Sequence, residues 1–229
     1  MNGQFRDRFQ AGQLLAKRLT QHANRSDVIV LGLPRGGVPV AFEVAKELNA
    51  PLDVFLVRKL GVPGYPELAM GAIASGGVRV LNDAVVYQLD LPQRVIDAVA
   101  REQEGELRRR ELAYRGHGGA PEIQGKTVIV VDDGIATGST MKAAVRALHH
   151  QGAARIIIAV PTVAAVSYED LAREADEMVA LITPKDFIAV GQWYENFGKT
   201  SDEEVTALLD EARAQRQAAE PVQSQHQPV

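Results

Sequence analysis

The sequence predicts an α/β protein whose parallel sheet is covered by helices on both faces. Two features indicate this class. Short runs of Val, Ile and Leu alternate along the chain with segments of helical periodicity, and the runs are apolar throughout, as strands covered on both faces are. With 229 residues, 46% of them hydrophobic and 24% charged, the chain is long enough for one such domain with an insertion.

The elements can be placed in order from their periodicity and from turn residues. Apolar residues at helical spacing from Phe5 to Leu19 predict an amphipathic first helix. Residues 28–33 then predict a buried strand, because an apolar run stops there at a Pro and two glycines. The same alternation predicts strands over 52–57, 127–131, 156–160 and 177–181, and helices over 39–48, 139–150, 167–174 and 202–213.

Three segments do not fit this alternation. The stretch 60–68 is rich in Gly and Pro and predicts a mobile loop. The stretch 92–114 predicts a helix with few apolar residues on a charged surface, which favours an exposed arm or a subunit contact over a core position. The last residues, 213–229, are rich in Ala, Gln and Pro and predict a disordered tail.

Charge and composition exclude several classes of partner and site. The net charge of −4 leaves no global positive field, so nucleic acid is not expected as a partner. The N-terminus is too polar for a signal peptide, and no apolar run approaches the roughly 18 residues of a membrane span, so no membrane partner is expected. The chain has no cysteine, which excludes disulfides and Cys-based zinc sites and is compatible with a cytoplasmic location.

An acidic pair marks the candidate site. The β-branched run 128–131 must end at Asp132 and Asp133, because two unpaired carboxylates cannot remain inside a parallel sheet. Ligands bind at this carboxyl edge in open α/β sheets. The residues that lead into the next helix are suited to cradle a phosphate: Ala136, Thr137, Gly138, Ser139 and Thr140. A ligand with a phosphate beside a sugar diol suits both parts. An acidic turn, or a Mg²⁺ site of the phosphatase kind, is the alternative.

The segment from Val128 to Thr140 resembles the 5-phosphoribosyl-1-pyrophosphate (PRPP) signature of the type I phosphoribosyltransferases. That signature is a hydrophobic strand, two Asp, three variable residues and Thr-Gly-x-Thr. The resemblance implies that Asp132 and Asp133 contact the ribose 2′- and 3′-hydroxyls and hold Mg²⁺ through water. It also implies that residues 136–140 wrap the 5′-phosphate.

Two further segments resemble binding elements of the same family. Arg35, Gly36 and Gly37 are similar to its pyrophosphate loop, although they also suit a plain strand-to-helix turn. Arg58 and Lys59 look like the Arg-Lys pair of the adenine and orotate branches, in which Arg suits a bidentate phosphate contact and Lys a point charge. A solvated strand end is the alternative. The nearby Gly- and Pro-rich loop occupies the place of the family's flexible lid.

Residues 184–197 resemble the hood of the 6-oxopurine branch, in which an aromatic ring stacks on the base. Phe187 or Trp193 would be that ring, and the alternative for Trp193 is to fill core. The 6-oxopurine branch carries Asp where this chain has Ala136, whereas adenine-type loops tolerate Ala, so hood and loop point to different bases. We expect one domain over 1–212, with an insertion at about 82–124 and the hood at about 182–200.

The resemblance implies transfer of a phosphoribosyl group from PRPP to a nitrogenous base, with release of pyrophosphate. Asp132 and Asp133 would hold the diol, while Arg35 and Mg²⁺, the expected cofactor, neutralise the leaving group. The alternative is a non-enzymatic regulator that senses PRPP or a nucleotide through the same pocket, and a sugar-phosphate phosphatase acting through Asp132 is a third reading. Dimers are common in the family, and 92–114 is the candidate interface of a homodimer.

Overall fold

The computed structural model of the protein describes residues 4–116 and 119–219. Its helices and strands are, in chain order, α1 (Arg8–Ala16), β1 (Val28–Gly32), α2 (Gly37–Leu48), β2 (Leu52–Val54), β3 (Val57–Val62), β4 (Tyr65–Ala74), β5 (Val78–Leu81), α3 (Asp83–Gln88), α4 (Gln93–Arg115), β6 (Thr127–Val131), α5 (Ser139–His150), β7 (Arg155–Thr162), α6 (Ala165–Ala172), β8 (Glu177–Ile182) and α7 (Asp202–Ala219).

Five strands form a parallel sheet in the order β2-β1-β6-β7-β8. Every residue of β1 and β6 is buried, because both faces of the sheet are covered. Helices α1, α2 and α7 pack on one face, and α5 and α6 pack on the other. Successive residues of a strand alternate between these layers, so that Ile129 belongs to the first core and Val130 to the second. The predicted α/β fold is confirmed.

The stretch predicted to be a mobile loop, 60–68, is instead part of a second sheet, so that prediction is wrong. Strands β3, β4 and β5 pair antiparallel in that order. Gly64 has a φ of 84° in the turn between β3 and β4, and the register shifts at Gly61 mark a bulge. Gly and Pro therefore shape a hairpin here, and its inner side chains, including Leu60 and Met70, are buried.

Helix α4 covers this small sheet, so the prediction of an exposed arm is also wrong. Ile96 and Ala100 are buried in one cluster with side chains of β3 and β4, and Leu107 and Tyr114 reach the main core. These four residues form a narrow apolar stripe along an otherwise charged helix, which is enough to bury one side of it. The homodimer interface suggested for this helix stays a prediction.

Arg115 anchors the end of α4 to the main sheet. Its side chain is only 2% exposed. Its Nε donates to Oδ1 of Asp53 at 2.8 Å, and its Nη2 donates to the carbonyl of Val54 at 2.6 Å. Removing either partner would lower the free energy of unfolding, since it would leave the buried charge of Arg115 without full compensation.

The last helix, α7, continues past Arg213 to Ala219, so the disorder predicted for 213–219 is wrong. Ala, Gln and Arg are good helix formers and extend the helix without needing a core contact. Residues 220–229 of the predicted tail lie outside the described residues. Among the described residues, no helix is both long and apolar enough to cross a membrane.

We predict that Ile96→Ala lowers the free energy of unfolding by about 3 kcal/mol, because it empties a fully packed site between α4 and the small sheet. Leu112→Ala on the same helix is the control, since Leu112 is 57% exposed. Its effect should stay below about 0.5 kcal/mol. Urea unfolding of both variants measures the difference, and equal effects would mean that α4 is not held by its apolar stripe.

Candidate active site

Two predicted binding loops meet at the carboxyl edge of the main sheet. Gly36 and Gly37 follow β1, and Asp132 and Asp133 follow β6. A Cβ atom on Gly36 would lie 2.1 Å from Oδ2 of Asp133, and one on Gly37 would lie 2.9 Å from Cα of Asp132. Only glycine allows this close approach. The Pro34–Arg35 peptide, which precedes the two glycines, is cis.

Asp132 and Asp133 differ in their partners. The N–H of Asp133 donates to Oδ1 of Asp132 at 2.9 Å. Oδ2 of Asp133 accepts a hydrogen bond from Nε of Arg8 at 2.8 Å, and its backbone carbonyl accepts one from the hydroxyl of Tyr194. Burial, and next the charge of Asp133, raise the pKa of Asp132 well above its usual value of 3.8. A ligand that neutralises charge is therefore favoured at Asp132.

The loop 136–140 is open to solvent at the start of α5. Four of its residues are exposed, namely Ala136, Thr137, Ser139 and Thr140. The hydroxyls of Thr137 and Ser139 lie 3.4 Å apart. Gly138 has a φ of 75°, and a Cβ there would lie 3.1 Å from Leu171, so the turn into α5 requires glycine. Free N–H groups at a helix N-terminus, with hydroxyls beside them, suit an anion such as a phosphate.

The guanidinium of Arg35 lies beside the same carboxyl edge of the sheet and is only loosely held. Its side chain is 49% exposed, and its Nη1 lies 4.0 Å from Oδ1 of Asp202 on α7. Asp202 also accepts a hydrogen bond from the hydroxyl of Tyr114. Burial and the contact with Asp202 raise the pKa of Tyr114 to about 12, so this hydroxyl keeps the proton that it donates. The Arg35 guanidinium remains accessible to a ligand.

Arg58 and Lys59 are separated by the structure. Nε and Nη2 of Arg58 both donate to Oε1 of Gln103 on α4, at 3.1 and 2.9 Å. Lys59 points to the other face of the small sheet, toward α5, and its Nζ lies 3.6 Å from a carboxylate oxygen of the exposed Glu67. Neighbouring residues of a strand point to opposite faces, so the two cations cannot act on one phosphate from this strand. Only Lys59 lies on the side of the 136–140 loop.

A cavity of about 270 Å³ lies between the small sheet and α5. Much of its wall is apolar, and its polar lining consists of Lys59, Asn82, Ser139, Thr140, Lys142 and Arg146. Lys142 pairs with Asp170 of α6 at 3.1 Å, and Arg146 pairs with Glu174. Among the described residues, Lys59 contacts only Glu67 of β4, with its Nζ 3.4 Å from the carbonyl and 3.6 Å from the carboxylate, which makes it the cation of this lining most available to a ligand near Ser139.

The segment after β8, which we call the hood (183–200), packs against the N-terminal segment. The N–H of Phe5 donates to the carbonyl of Trp193 at 2.8 Å, and the N–H of Glu195 donates to the carbonyl of Phe5 at 2.8 Å. The rings of Phe187 and Trp193 are both half-buried, with centroids 6.1 Å apart and planes tilted by 36°. Trp193 also packs on the cluster of Phe5 and Tyr194, so it fills core at least in part. A base-stacking role for either ring stays a prediction.

Sequence reasoning missed three residues at this site: Arg8 and Tyr194, which contact Asp133, and Phe197, which contacts both of them. Burial and the charge of Asp133 raise the pKa of Tyr194, which therefore stays a donor to the Asp133 carbonyl. Tyr194 and Phe197 lie in the aromatic segment singled out as a hood, but nothing in that segment marked them over Trp193. Arg8 carried no signal at all, because an arginine at the start of a surface helix is ordinary.

Across 4–116 and 119–219, no group of three or more His, Asp or Glu side chains could hold a metal ion. Mg²⁺ usually takes only one or two protein carboxylates and completes its shell with water and substrate phosphates. Asp132 and Asp133 supply that number. The raised pKa of Asp132 fits the same role, because a nearby cation would stabilise its ionised form.

The chain is similar to a protein-family model, to two curated proteins and to a solved structure. The chain matches the family model described as phosphoribosyl transferase domain over residues 3–69 and 67–194. Two Mycobacterium tuberculosis proteins, from strains CDC 1551 and H37Rv, carry the provisional name phosphoribosyl transferase and are 53% identical to this chain over 216 residues. These matches cover 94% of this chain and 48% of each relative, so the chain spans about half their length. The crystal structure of TT1426 from Thermus thermophilus superposes with a TM-score of 0.82 at 44% identity, over 91% of this chain and 98% of that one.

We predict that Asp132→Asn stabilises the ligand-free protein. The folded state raises the pKa of Asp132, so this carboxyl favours folding at low pH, and that contribution is lost as the pH rises through the raised value. Asparagine cannot ionise and avoids the loss, which is about 1.4 kcal/mol for each pH unit by which the pKa is raised. It can also keep the hydrogen bond from the N–H of Asp133.

Thermal unfolding in EDTA at pH 5 and pH 8 measures this effect. The variant should gain more over wild type at pH 8 than at pH 5. The control is Asp170→Asn, whose side chain is 53% exposed and paired with Lys142, and which should bring no gain. A lower melting temperature for Asp132→Asn at pH 8 would contradict the assigned direction of the shift.

Proposed function

Because the chain belongs to the phosphoribosyl transferase domain family, we propose that it binds PRPP with Mg²⁺ and transfers the phosphoribosyl group to a nitrogenous base. The observation that carries the proposal is the close contact of Gly36 and Gly37 with Asp132 and Asp133. A ligand that reaches both loops needs hydroxyls for the carboxylates and phosphate oxygens for the glycine backbone. PRPP carries its ribose diol directly beside its pyrophosphate, and so meets both needs.

The acidic pair would hold the ribose ring. Carboxylates accept hydrogen bonds from the 2′- and 3′-hydroxyls, and the ordered arrangement of Asp133 sets the position of the sugar before reaction. The 5′-phosphate would lie against the loop 136–140, where backbone N–H groups of α5 and the exposed hydroxyls of Thr137, Ser139 and Thr140 converge. Fixing both ends of the ligand orients its anomeric carbon toward an incoming base.

Cationic groups would neutralise the leaving group. The bond from the anomeric carbon to pyrophosphate breaks, its electron pair leaves with the pyrophosphate, and a nitrogen of the base forms the new bond to that carbon. Arg35 is exposed and loosely held beside the glycines, so it can approach the departing oxygens. Lys59 faces the 136–140 loop from the small sheet and would add positive charge on the side of the 5′-phosphate. Mg²⁺, held by Asp132 and Asp133 through water, would supply further positive charge.

The acceptor base would lie under the hood. Phe187 and Trp193 present aromatic surface there, and stacking on such a ring is tolerant of base identity. Ala136 carries no side-chain group that could exchange a proton with a purine ring, so the contacts that hold the base would come from the hood. The cytoplasmic location and the homodimer expected from the sequence stay predictions.

Calorimetric titration with PRPP and Mg²⁺ tests the proposal. We expect wild type to bind, and the double variant Asp132→Asn/Asp133→Asn to lose binding, because the amides neither hold Mg²⁺ nor accept the diol as well. Circular dichroism and thermal unfolding of the double variant control for its fold. Chelation of Mg²⁺ should weaken binding of PRPP more than binding of ribose 5-phosphate, which has no pyrophosphate.

Binding and turnover assays distinguish the proposed transferase from its two alternatives. Binding of PRPP followed by pyrophosphate release with one of a panel of bases supports the transferase. Binding without turnover by any base would favour a sensor, and release of phosphate from a sugar phosphate without a base would favour a phosphatase. A folded wild-type protein that does not bind PRPP would overturn the proposal.

A matched pair of variants tests whether Lys59, and not Arg58, contacts the ligand. Lys59→Met should weaken PRPP binding about tenfold, because it removes a charge-assisted contact on the side of the phosphate loop. Arg58→Met should leave the dissociation constant within about twofold, because its guanidinium is committed to Gln103 on the opposite face. The same calorimetric assay measures both, and a larger effect at Arg58 would show that β3 rearranges when the ligand binds.

A further inference from the structure

The side chain of Arg8 lies at the acidic pair and is mostly shielded from solvent. Its side chain is only 11% exposed. Nε donates to Oδ2 of Asp133 at 2.8 Å, Nη1 donates to the carbonyl of Gly198 at 2.7 Å, and Cζ lies 3.9 Å from the centroid of the Phe197 ring. The first contact is to the proposed ribose-binding carboxylate, and the other two are to the hood. One side chain therefore bridges the sugar site and the hood.

The same hood holds the backbone of Asp133. The hydroxyl of Tyr194 donates to the Asp133 carbonyl. The ring of Tyr194 stacks on Phe197 with centroids 5.1 Å apart, and it contacts Phe5 at 5.5 Å. The carboxylate and the carbonyl of Asp133 are thus both fixed by groups that rest on one aromatic cluster.

The hood and the N-terminal segment form one hydrogen-bonded unit. Backbone hydrogen bonds join Phe5 to Trp193 and Glu195, and the N–H of Asn196 donates to the carbonyl of Arg6 at 2.9 Å. These bonds lie immediately before Arg8 in the chain. A shift of the hood would therefore displace Arg8, and with it the side chain of Asp133.

The neighbours of Asp133 leave one of its two carboxylate oxygens to a ligand. Gly36 comes so close to Oδ2 that even a Cβ would not fit, and Arg8 occupies the same oxygen. Oδ1 of Asp133 is the oxygen that neither Arg8 nor Gly36 approaches, and it is the oxygen left for a sugar hydroxyl. Arg8 thus decides which carboxylate oxygen faces the ligand.

We propose that Arg8 is a positioning residue that orients Asp133 for the sugar and couples the sugar site to the hood. This inference rests on the proposed function, since it takes PRPP as the ligand of Asp133. The coupling means that binding of PRPP alters the hood before any base is present, and that the base site is completed by the sugar site.

The test compares Arg8→Met and Arg8→Lys with a control on the same segment. Arg6→Met is that control, because Arg6 also pairs with an aspartate, Asp7, but its side chain is 59% exposed. PRPP affinity is measured by calorimetry in the presence of Mg²⁺. Emission of Trp193, the single Trp of the chain, reports on the hood at saturating PRPP without any acceptor.

We expect wild type to change its Trp193 emission on binding PRPP. Arg8→Met should bind PRPP about tenfold more weakly and lose the emission change even at saturation, because Asp133 is no longer tied to the hood. Arg8→Lys keeps the charge without the planar contact to Phe197, and should recover part of the affinity. Arg6→Met should match wild type in both measurements.

The outcomes separate this inference from the proposed function. Binding and emission changes equal to wild type in a folded Arg8→Met, or in Arg8→Lys where Arg8→Met does not fold, would overturn the role of Arg8 and leave PRPP binding standing. A mutant that loses affinity but keeps the full emission change at saturation would overturn the coupling. Failure of the wild-type protein to bind PRPP would overturn both proposals together.

Discussion

The ion pair between Arg8 and Asp133 is the interaction on which the candidate site depends most. Strand β6 delivers two carboxylates to a sheet edge where the side chain of Asp133 is only 13% exposed. A carboxylate desolvated without a partner costs several kcal/mol, so the arrangement needs a cation that is itself held in place. Arg8 meets this need at 2.8 Å, and it links the N-terminal helix to the sheet edge and to the hood.

The charges of the two carboxyls are compensated to different degrees. Asp133 is compensated by Arg8 and serves as the fixed member. Asp132 accepts a hydrogen bond from the N–H of Asp133, and burial and the charge of Asp133 raise its pKa, so the ligand-free protein disfavours its ionised form. The uncompensated carboxyl of Asp132 lowers the free energy of unfolding of the ligand-free protein, and in return it is available to bind a cation or a sugar. Such a trade-off between stability and function is common at binding sites.

The small sheet and α4 add a second wall to the site without joining the main sheet. Because β3 is covered by α4 on one face and by α5 on the other, its two neighbouring cations are directed to different layers. Arg58 contributes to the packing of α4 through Gln103, and Lys59 is left beside the phosphate loop. An arrangement that looks like one basic pair along the chain is thus divided into a structural and a ligand-facing residue.

The sequence by itself determined the main sheet and the two loops that meet at its edge. Strand β6 and helix α5 have the bounds expected from the sequence, because apolar runs, glycine turns and hydroxyls before a helix act locally. Only the tertiary structure decided that 60–68 forms a hairpin, that α4 is buried along a narrow stripe, and that Arg8 completes the acidic pair. These features depend on groups far apart in the chain, and Arg8 and Asp133 are separated by 125 positions. No local pattern carries such a contact, because it forms only when the fold brings the hood and the first helix to the end of β6.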